Sequence, residues 1–470
     1  MTKVQFSSAS LAQQVQGRLV GADVAFDSVS IDTRTLTTSA LFVALKGPNF
    51  DGHDYVSVAM ARGAVAALVE RELPLALPQI VVPDALTALS QFAHVWRMQF
   101  GYPVIGVTGS NGKTTTKEML GSILSQRGAC LVTRGNLNNH IGVPLTLLGL
   151  NAGHQAAVIE MGASNPGEIA HLARIARPDI GLVTNAGAAH LEGFGGLEGV
   201  ARGKGELFQA LSGKGVAIIN ADDVFADYWR VHCNAATIYS FGVDRAADFS
   251  ASKVLAHHDA PGGNGGFQTR FELSTPQGVC AVSLQLAGIH NLRNALGAAA
   301  AAHAAGASLA QIQAGLNSMR PVGGRLQPKP AIHDAALIDD SYNANPNSVK
   351  AGIDALRSLG GRRWLIFGDM LELGPDAPQM HVEVGVYARS AGIEKLLAVG
   401  ANARHAVDAF GAGGQWFASL DELIAAAQAT IEPGVTVLIK GSRGNRLERA
   451  AAALSAGAAG ASDAAANDGH

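Results

Sequence analysis

Short apolar runs alternate with segments of helical periodicity along most of this chain. In the first part, the apolar runs at residues 40–45 and 64–69 predict two strands. Between and after them lie segments that are more polar, as expected for turns and surface helices. The pattern therefore predicts a small α/β unit over residues 1–83.

The middle of the chain, residues 84–319, predicts a larger α/β unit. A helix near residues 85–100 comes first, and four apolar runs then predict strands at 103–107, 156–160, 180–184 and 215–219. Farther along, polar and apolar positions alternate between glycine-rich turns, which favours antiparallel strands at 267–273 and 279–286. An alanine-rich helix is predicted at 291–305.

In the last part, residues 320–455, strand and helix patterns follow each other regularly. The predicted strands are 336–339, 364–367, 396–399 and 435–439. The predicted helices that follow them are 346–359, 378–391, 402–410 and 443–455. This alternation is typical of a parallel, doubly wound sheet of the Rossmann type. Residues 456–470 are almost entirely Ala, Gly, Ser and Asp, and we expect them to form a disordered tail.

Composition narrows the class of protein. A chain of 470 residues corresponds to about three domains. The formal net charge is −3 and no basic block occurs, so bulk charge gives no indication of nucleic-acid binding. The three cysteines have no metal-ligand spacing, and the N-terminus lacks an apolar signal core. We expect a cytoplasmic, monomeric protein with no membrane span.

The most informative motif lies between the predicted strand 103–107 and the helical pattern that follows it. Residues 108–116 read Thr-Gly-Ser-Asn-Gly-Lys-Thr-Thr-Thr. Glycines allow close approach of a phosphate to the backbone, and the N–H groups at a helix start favour an anion. Lys113 can reach the outer phosphates and the Thr114 hydroxyl can bind Mg²⁺. The loop is one residue shorter than the general P-loop pattern, and it predicts use of a nucleoside triphosphate.

Other polar side chains follow the predicted strands of the same unit. Glu160 ends one strand, where a carboxylate can bind Mg²⁺ or be an ordinary surface acid. His190 follows the next strand and is either a ligand or a structural histidine. Asn136 and Asn139 belong to a polar turn that can bind a ligand or satisfy its own backbone. Lys204, taken alone, is a solvated surface lysine.

Three polar clusters also lie at the ends of predicted strands in the last part of the chain. A site along one edge of that sheet follows from their positions, since the carboxyl ends of parallel strands meet there. The candidate residues of the three clusters are Asp340, Tyr342, Asn343 and Asn345; Asp369 and Glu372; and Lys440 and Arg443.

Taken together, these motifs resemble those of the Mur ligase family, the ATP-dependent amide-forming enzymes of peptidoglycan synthesis. The shortened P-loop is similar to that of the family. Further similar motifs are Asp32-Thr33-Arg34, Leu41 to Gly47, Gly135 to Asn139, His190 to Gly195, Tyr342 to Pro346 and Gly368 to Gly374. The resemblance covers nearly the whole chain except the last fifteen or so residues. It implies three domains, 1–83, 84–319 and 320–455, that bind the UDP part of a nucleotide-sugar peptide, ATP and the incoming amino component respectively.

The resemblance also implies a reaction and roles for individual residues. The reaction would join D-alanyl-D-alanine to UDP-N-acetylmuramoyl-tripeptide through an acyl phosphate, with ATP and two Mg²⁺ ions. Catalytic roles are implied for Lys113, His190 and Lys204, with CO₂ held on Lys204 as a carbamate. The implied metal ligands are Thr114, Glu160, His190 and the carbamate of Lys204. The implied ATP-binding residues are Gly109, Ser110, Asn111, Gly112, Lys113, Thr114, Thr115, Asn291, Asn294, Arg325 and Asp340. The implied substrate-binding residues are Thr33, Arg34, Lys46, Asn136, Asn139, Tyr342, Asn343, Asn345, Asp369, Glu372, Lys440 and Arg443.

Two positions depart from the pattern of the family. Ser39 stands where Gly is usual before the strand at 40–45, and Gly203 stands where Ala is usual before Lys204.

The alternatives within the ligases are the Mur enzyme that adds the third amino acid and folylpolyglutamate synthase. The motifs around Asn343 and Asp369 argue against both. An alternative outside the ligases is an ATP-gated binding protein.

Overall fold

The computed structural model describes residues 6–258 and 267–456. Of the predicted tail, residues 456–470, all but Ala456 lie outside the described residues. Among the residues that are described, none belongs to a helix of sufficient length and apolar character to cross a bilayer. Four groups of elements follow: an N-terminal sheet, a joining helix, a central sheet with a small antiparallel sheet beside it, and a C-terminal sheet.

The N-terminal elements surround a five-stranded sheet of order β2-β9-β8-β5-β4, which is parallel except for the β2–β9 pair. They are β1 Phe6–Ser7, α1 Ser8–Gln14, β2 Arg18–Val20, β3 Ala25–Phe26, β4 Ser28–Ser30, β5 Ala40–Val43, β6 Lys46–Gly47, β7 Phe50–Asp51, α2 Val56–Ala61, β8 Ala64–Val69 and β9 Gln79–Val81. The predicted strand at 64–69 has the observed bounds, and the one predicted at 40–45 ends two residues earlier.

Helix α3, Ala85–Arg97, joins the N-terminal sheet to the rest of the molecule. The side chain of Asp84 caps its first turn by accepting a hydrogen bond from Thr87 N at 2.6 Å. Leu89 and Phe92 pack into the N-terminal core, whereas Trp96 packs into the central core. The helix is therefore shared by two hydrophobic cores.

The central sheet is parallel and has the order β11-β12-β10-β13-β14-β15. The elements are β10 Val104–Thr108, α4 Lys113–Leu124, β11 Ala129–Val132, α5 Gly142–Leu147, β12 His154–Glu160, α6 Glu168–Ala176, β13 Ile180–Val183, α7 Leu191–Phe194, α8 Leu197–Gln209, β14 Val216–Asn220, α9 Ala226–Val231, β15 Thr237–Phe241, β16 Ser250–His258, β17 Phe267–Thr275, β18 Gly278–Leu284, α10 Ile289–Ala304 and α11 Leu309–Ser318. Strands β16 to β18 form a separate antiparallel sheet, in which β17 and β18 correspond to the two antiparallel strands predicted and β16 was not predicted.

The C-terminal sheet has the order β19-β20-β24-β21-β22-β23, and only the β19–β20 pair is antiparallel. The elements are β19 Gln327–Pro330, β20 Ala336–Asp340, α12 Pro346–Ser358, β21 Arg362–Gly368, α13 Ala377–Ser390, β22 Lys395–Val399, α14 Ala403–Phe410, β23 Gly414–Phe417, α15 Leu420–Thr430, β24 Val435–Lys440 and α16 Glu448–Leu454. The α/β fold with mostly parallel sheets is therefore confirmed.

One predicted helix is wrong in its first part. Residues 443–445 form a 3₁₀ turn, and α16 begins only at Glu448. Arg446 has a φ of 53°, in the left-handed region, which interrupts a continuous helix. The strands β19 and β23 and the helix α15 were not predicted; the four-residue run of β23 is short and half polar.

Ser39, the departure noted in the sequence, has a φ of 66°. A Cβ atom is disfavoured in this left-handed conformation, which explains the Gly that is usual there. The side chain is exposed. We expect Ser39→Gly to increase the free energy of unfolding by about 0.5–1 kcal/mol, because relief of strain exceeds the added entropy of the unfolded chain. Urea unfolding measures this change. Ser39→Ala retains Cβ and is the matched control, and equal effects of the two substitutions would contradict the explanation.

Candidate active site

A large cleft of about 1230 Å³ lies between the central and C-terminal sheets. Most of the predicted site residues line it. From the central part these are Ser110, Asn111, Gly112, Lys113, Thr114, Thr115, Asn136, Asn139, Glu160, His190, Asn291 and Asn294. From the C-terminal part they are Arg325, Asp340, Tyr342, Asn343, Asn345, Glu372, Lys440 and Arg443. The structure thus brings together residues that are more than 300 positions apart.

The P-loop joins β10, in the middle of the parallel sheet, to helix α4. Gly109 and Gly112 have φ values of 140° and 81°. A Cβ on Gly109 would lie 1.9 Å from Thr184 Oγ1, and one on Gly112 would lie 2.3 Å from Asn294 Oδ1. Both positions therefore require glycine. The Lys113 ammonium donates to the Gly109 carbonyl at 2.6 Å, and burial lowers the pKa of this lysine.

Two residues that follow the neighbouring strand β13 fix the conformation of the P-loop. Thr184 Oγ1 donates to the Asn111 carbonyl at 2.6 Å. The Oδ1 atom of Asn185 accepts a hydrogen bond from Asn111 N at 3.1 Å, and its Nδ2 atom donates one to the Asn111 carbonyl. Thr184 was not predicted, although a hydroxyl at the carboxyl end of a strand beside a P-loop is a usable signal. These bonds preorganise the loop before any nucleotide binds.

Glu160 ends β12, on the other side of the P-loop strand, and is buried. The Thr114 hydroxyl donates to its Oε2 atom at 3.0 Å, and Asn138 Nδ2 donates to Oε1 at 2.8 Å. Adjacent hydroxyl and carboxylate oxygens are the donors that Mg²⁺ prefers. Across the described ranges, no group of three His, Cys, Asp or Glu side chains is arranged to hold a metal ion. A metal at Thr114 and Glu160 would therefore need further oxygen ligands, such as those of a triphosphate.

Three contacts cross the cleft from the C-terminal part. Arg325 Nη2 donates to the Thr114 hydroxyl at 2.9 Å. Asn345 Nδ2 donates to Asn111 Oδ1 at 2.6 Å, and Glu372 contacts the ring of His190. Both members of this last pair have left-handed φ angles, 55° for the histidine and 60° for the glutamate. Such strain at a polar contact is typical of a functional position. The P-loop and the C-terminal part of the chain are thus in direct contact.

Tyr342 lies beside two arginine side chains at the C-terminal wall of the cleft. The Cζ atoms of Arg325 and Arg443 lie 4.2 and 5.3 Å from the centroid of its ring. Lys440 is 2% exposed and donates to Asp340 Oδ2 at 2.6 Å and to the Asn343 carbonyl at 3.0 Å. This wall therefore offers cations beside an aromatic face, which suits an anionic or zwitterionic ligand.

Lys204 lies on helix α8 and is only 1% exposed, so the surface interpretation of this lysine is wrong. Its ammonium donates to the Ala163 carbonyl at 2.9 Å and lies 4.8 Å from the centroid of the Phe194 ring. Burial, followed by the charge of Lys113, lowers its pKa to about 7. A Cβ on Gly203 would lie 2.3 Å from the Phe194 ring, so the missing methyl group gives room to the ring that packs on the lysine.

The remaining predicted residues do not line the cleft. Asp369 is buried, and its Oδ1 atom accepts from Ala403 N at 2.7 Å, which fixes the start of helix α14. Thr33, Arg34 and Lys46 lie on the N-terminal part. Arg34 pairs with Asp32 at 2.7 Å, and Lys46 pairs with Glu70 at 2.7 Å. Thr33, Arg34 and Lys46 therefore do not line the cleft in this structure.

Three segments of the chain match families of known proteins. Residues 25–97 match the Mur ligase family, catalytic domain; residues 107–302 match the Mur ligase middle domain; and residues 324–443 match the Mur ligase, glutamate ligase domain. The UDP-N-acetylmuramoyl-tripeptide–D-alanyl-D-alanine ligase of Escherichia coli K12 is 43% identical over 454 residues, which are 96% of this chain and 98% of the relative. The chain belongs to the Mur ligase family.

Solved structures of Mur ligases share the arrangement. MurF from Acinetobacter baumannii superimposes with a TM-score of 0.88 and 36% identity, over 96% of this chain and 99% of that one. MurF from Thermotoga maritima in complex with ADP gives a TM-score of 0.79 and 27% identity, over 90% and 96% of the two chains. The predicted family is confirmed, and with it the class of enzyme, an ATP-dependent ligase.

Proposed function

We propose that this Mur ligase joins D-alanyl-D-alanine to UDP-N-acetylmuramoyl-tripeptide at the expense of ATP, giving the pentapeptide precursor of peptidoglycan. The observation that carries the proposal is the cleft in which the P-loop, with Lys113 and Thr114, faces the cationic wall around Tyr342. The relative from Escherichia coli that bears this activity in its name supports the choice of substrates.

The reaction has two steps. The carboxylate of the tripeptide attacks the γ-phosphorus of ATP, and the bond to ADP breaks to leave an acyl phosphate. The amine of D-alanyl-D-alanine then attacks the acyl carbon, phosphate leaves with the bonding electrons, and the amine loses a proton to form the amide. We propose that Lys113 and Arg325 neutralise charge on the transferred phosphoryl group, and that the P-loop holds it in line.

The binding of ATP is assigned to residues around the P-loop. The backbone N–H groups from Ser110 to Thr115 would surround the phosphates at the start of helix α4. Asn291 and Asn294, on helix α10 beside Gly112, would lie on the adenine side. Asp340, at the end of β20, would bind the ribose.

The peptide substrates would bind at both ends of the site. Thr33, Arg34 and Lys46 would bind the UDP portion, with Asn136 and Asn139 along the path of the peptide. Tyr342, Asn343, Asn345, Asp369, Glu372, Lys440 and Arg443 would receive D-alanyl-D-alanine. The domains proposed to carry these functions are residues 1–83, 84–319 and 320–455.

The donor set fits magnesium. Thr114 and Glu160 would hold one ion, and His190 with a carbamate on Lys204 would hold a second. Magnesium supplies charge neutralisation and polarisation of phosphoryl oxygens when bound. The lowered pKa of Lys204 supports the carbamate, since a neutral amine is the form that adds CO₂. We also propose that the protein acts in the cytoplasm as a monomer.

The test is the mass of the product formed from the tripeptide nucleotide, ATP and D-alanyl-D-alanine. We expect one added dipeptide, with one ADP and one phosphate released per amide bond. Free diamino acid and glutamate, the substrates implied by the two alternative ligases, serve as controls and should give no adduct. Phosphate release without any adduct would favour an ATP-gated binding protein, and an adduct with another amine alone would contradict the proposed acceptor.

A further inference from the structure

One buried cation of the P-loop helix has no role in the reaction described above. Lys117 lies on α4, and its side chain is completely buried. Its Nζ atom donates to the Thr133 carbonyl at 2.7 Å, lies 3.0 Å from Glu118 Oε1 and lies 3.7 Å from Glu160 Oε2. Burial of an ammonium is costly unless it is paired, so these oxygens are essential to its placement.

The partners of Lys117 are also the partners of the proposed metal-binding carboxylate. The Thr133 hydroxyl accepts a hydrogen bond from Glu160 N at 3.0 Å, while the Thr133 carbonyl accepts from Lys117. Thr133 therefore links the lysine to the backbone of Glu160. Lys117 thus lies near this carboxylate and shares the partner Thr133 with it.

We propose that Lys117 serves as the resident counter-charge of Glu160, so that a divalent cation binds there more weakly without a triphosphate than with one. A cation on Glu160 Oε2 would be repelled by the ammonium 3.7 Å from that oxygen. The negative charge of a triphosphate offsets this repulsion. The inference rests on the proposed assignment of Glu160 as a metal ligand.

The test measures binding of free Mn²⁺, a paramagnetic substitute for Mg²⁺, by electron paramagnetic resonance without nucleotide. We expect Lys117→Met to bind Mn²⁺ about tenfold more tightly than the wild type, because a nearby positive charge has been removed. With a non-hydrolysable ATP analogue present, the two proteins should differ less. Lys214→Met removes an exposed lysine and is the matched control for net charge. Equal or weaker Mn²⁺ binding by Lys117→Met would overturn the proposal.

Two further variants keep the result interpretable. Lys117→Gln retains a donor for the Thr133 carbonyl without the charge, so it replaces Lys117→Met if the latter fails to fold and should show the same tightening. Glu160→Gln should lose Mn²⁺ binding in the presence of the nucleotide analogue. If it does not, the metal assignment in the proposed function is wrong. If it does, and both lysine variants bind Mn²⁺ as the wild type does, only the inference about Lys117 is wrong.

Discussion

Lys113→Met is expected to lower the rate of amide formation about a thousandfold, the magnitude found when a preorganised donor to a developing negative charge is removed. The Lys113 ammonium is held over the P-loop by the Gly109 carbonyl at 2.6 Å. It is the one cation within the P-loop motif, residues 108–116. Methionine retains the length of the side chain but provides no charge, so the loss should appear mainly in kcat.

The same substitution should leave the fold intact. Lys113 is the first residue of helix α4, where a cation is unfavourable with respect to the helix dipole. Its removal therefore costs little stability, and the unfolding midpoint should stay close to that of the wild type. A phosphate-release assay with saturating substrates gives the rate, and Lys214→Met is the surface control. Full activity of Lys113→Met would exclude the P-loop from catalysis.

Much of the fold could be predicted because the sequence patterns that specify it, apolar runs and the P-loop motif, are local. The strands β10, β12, β13 and β14 each contain a run of buried apolar residues, as expected for parallel strands that are covered on both faces. The P-loop depends on glycines and one lysine that are adjacent in sequence. Strand β23, which was not predicted, has no strong pattern of its own and pairs in parallel with β22.

From periodicity, the site could be predicted where polar residues lie at the ends of predicted strands. Glu160 and His190 follow predicted strands, and the structure places both in the cleft. Lys204 looks like a surface lysine in the sequence, because its burial depends on packing against other elements, including Phe194 of helix α7. The contact of Arg325 with Thr114 joins residues 211 positions apart and has no local signal. For such residues, the resemblance to a family implied a role that the periodicity of the sequence could not.

Lys204→Ala is expected to reduce the rate of amide formation about a hundredfold, since the proposed carbamate, a fixed negative charge at the second metal site, would be lost. A lysine that is 1% exposed and has a pKa of about 7 supplies a neutral amine near neutral pH, the form that adds CO₂. The resulting carbamate would turn a cationic position into an anionic one. Alanine leaves room for a small anion in the same place, so added formate or acetate should restore part of the activity to Lys204→Ala.

Rescue by a short carboxylate separates this role from a structural one. If Lys204 only supported the packing of Phe194 and the Ala163 carbonyl, formate would not restore the rate, and the thermal unfolding midpoint would fall with activity. Lys204→Arg keeps a cation but adds no CO₂, so it should be inactive without being rescued, because its side chain still fills the space. Chloride at the same ionic strength controls for screening. Full activity of Lys204→Ala in the absence of carboxylates would show that catalysis needs neither the lysine nor its carbamate.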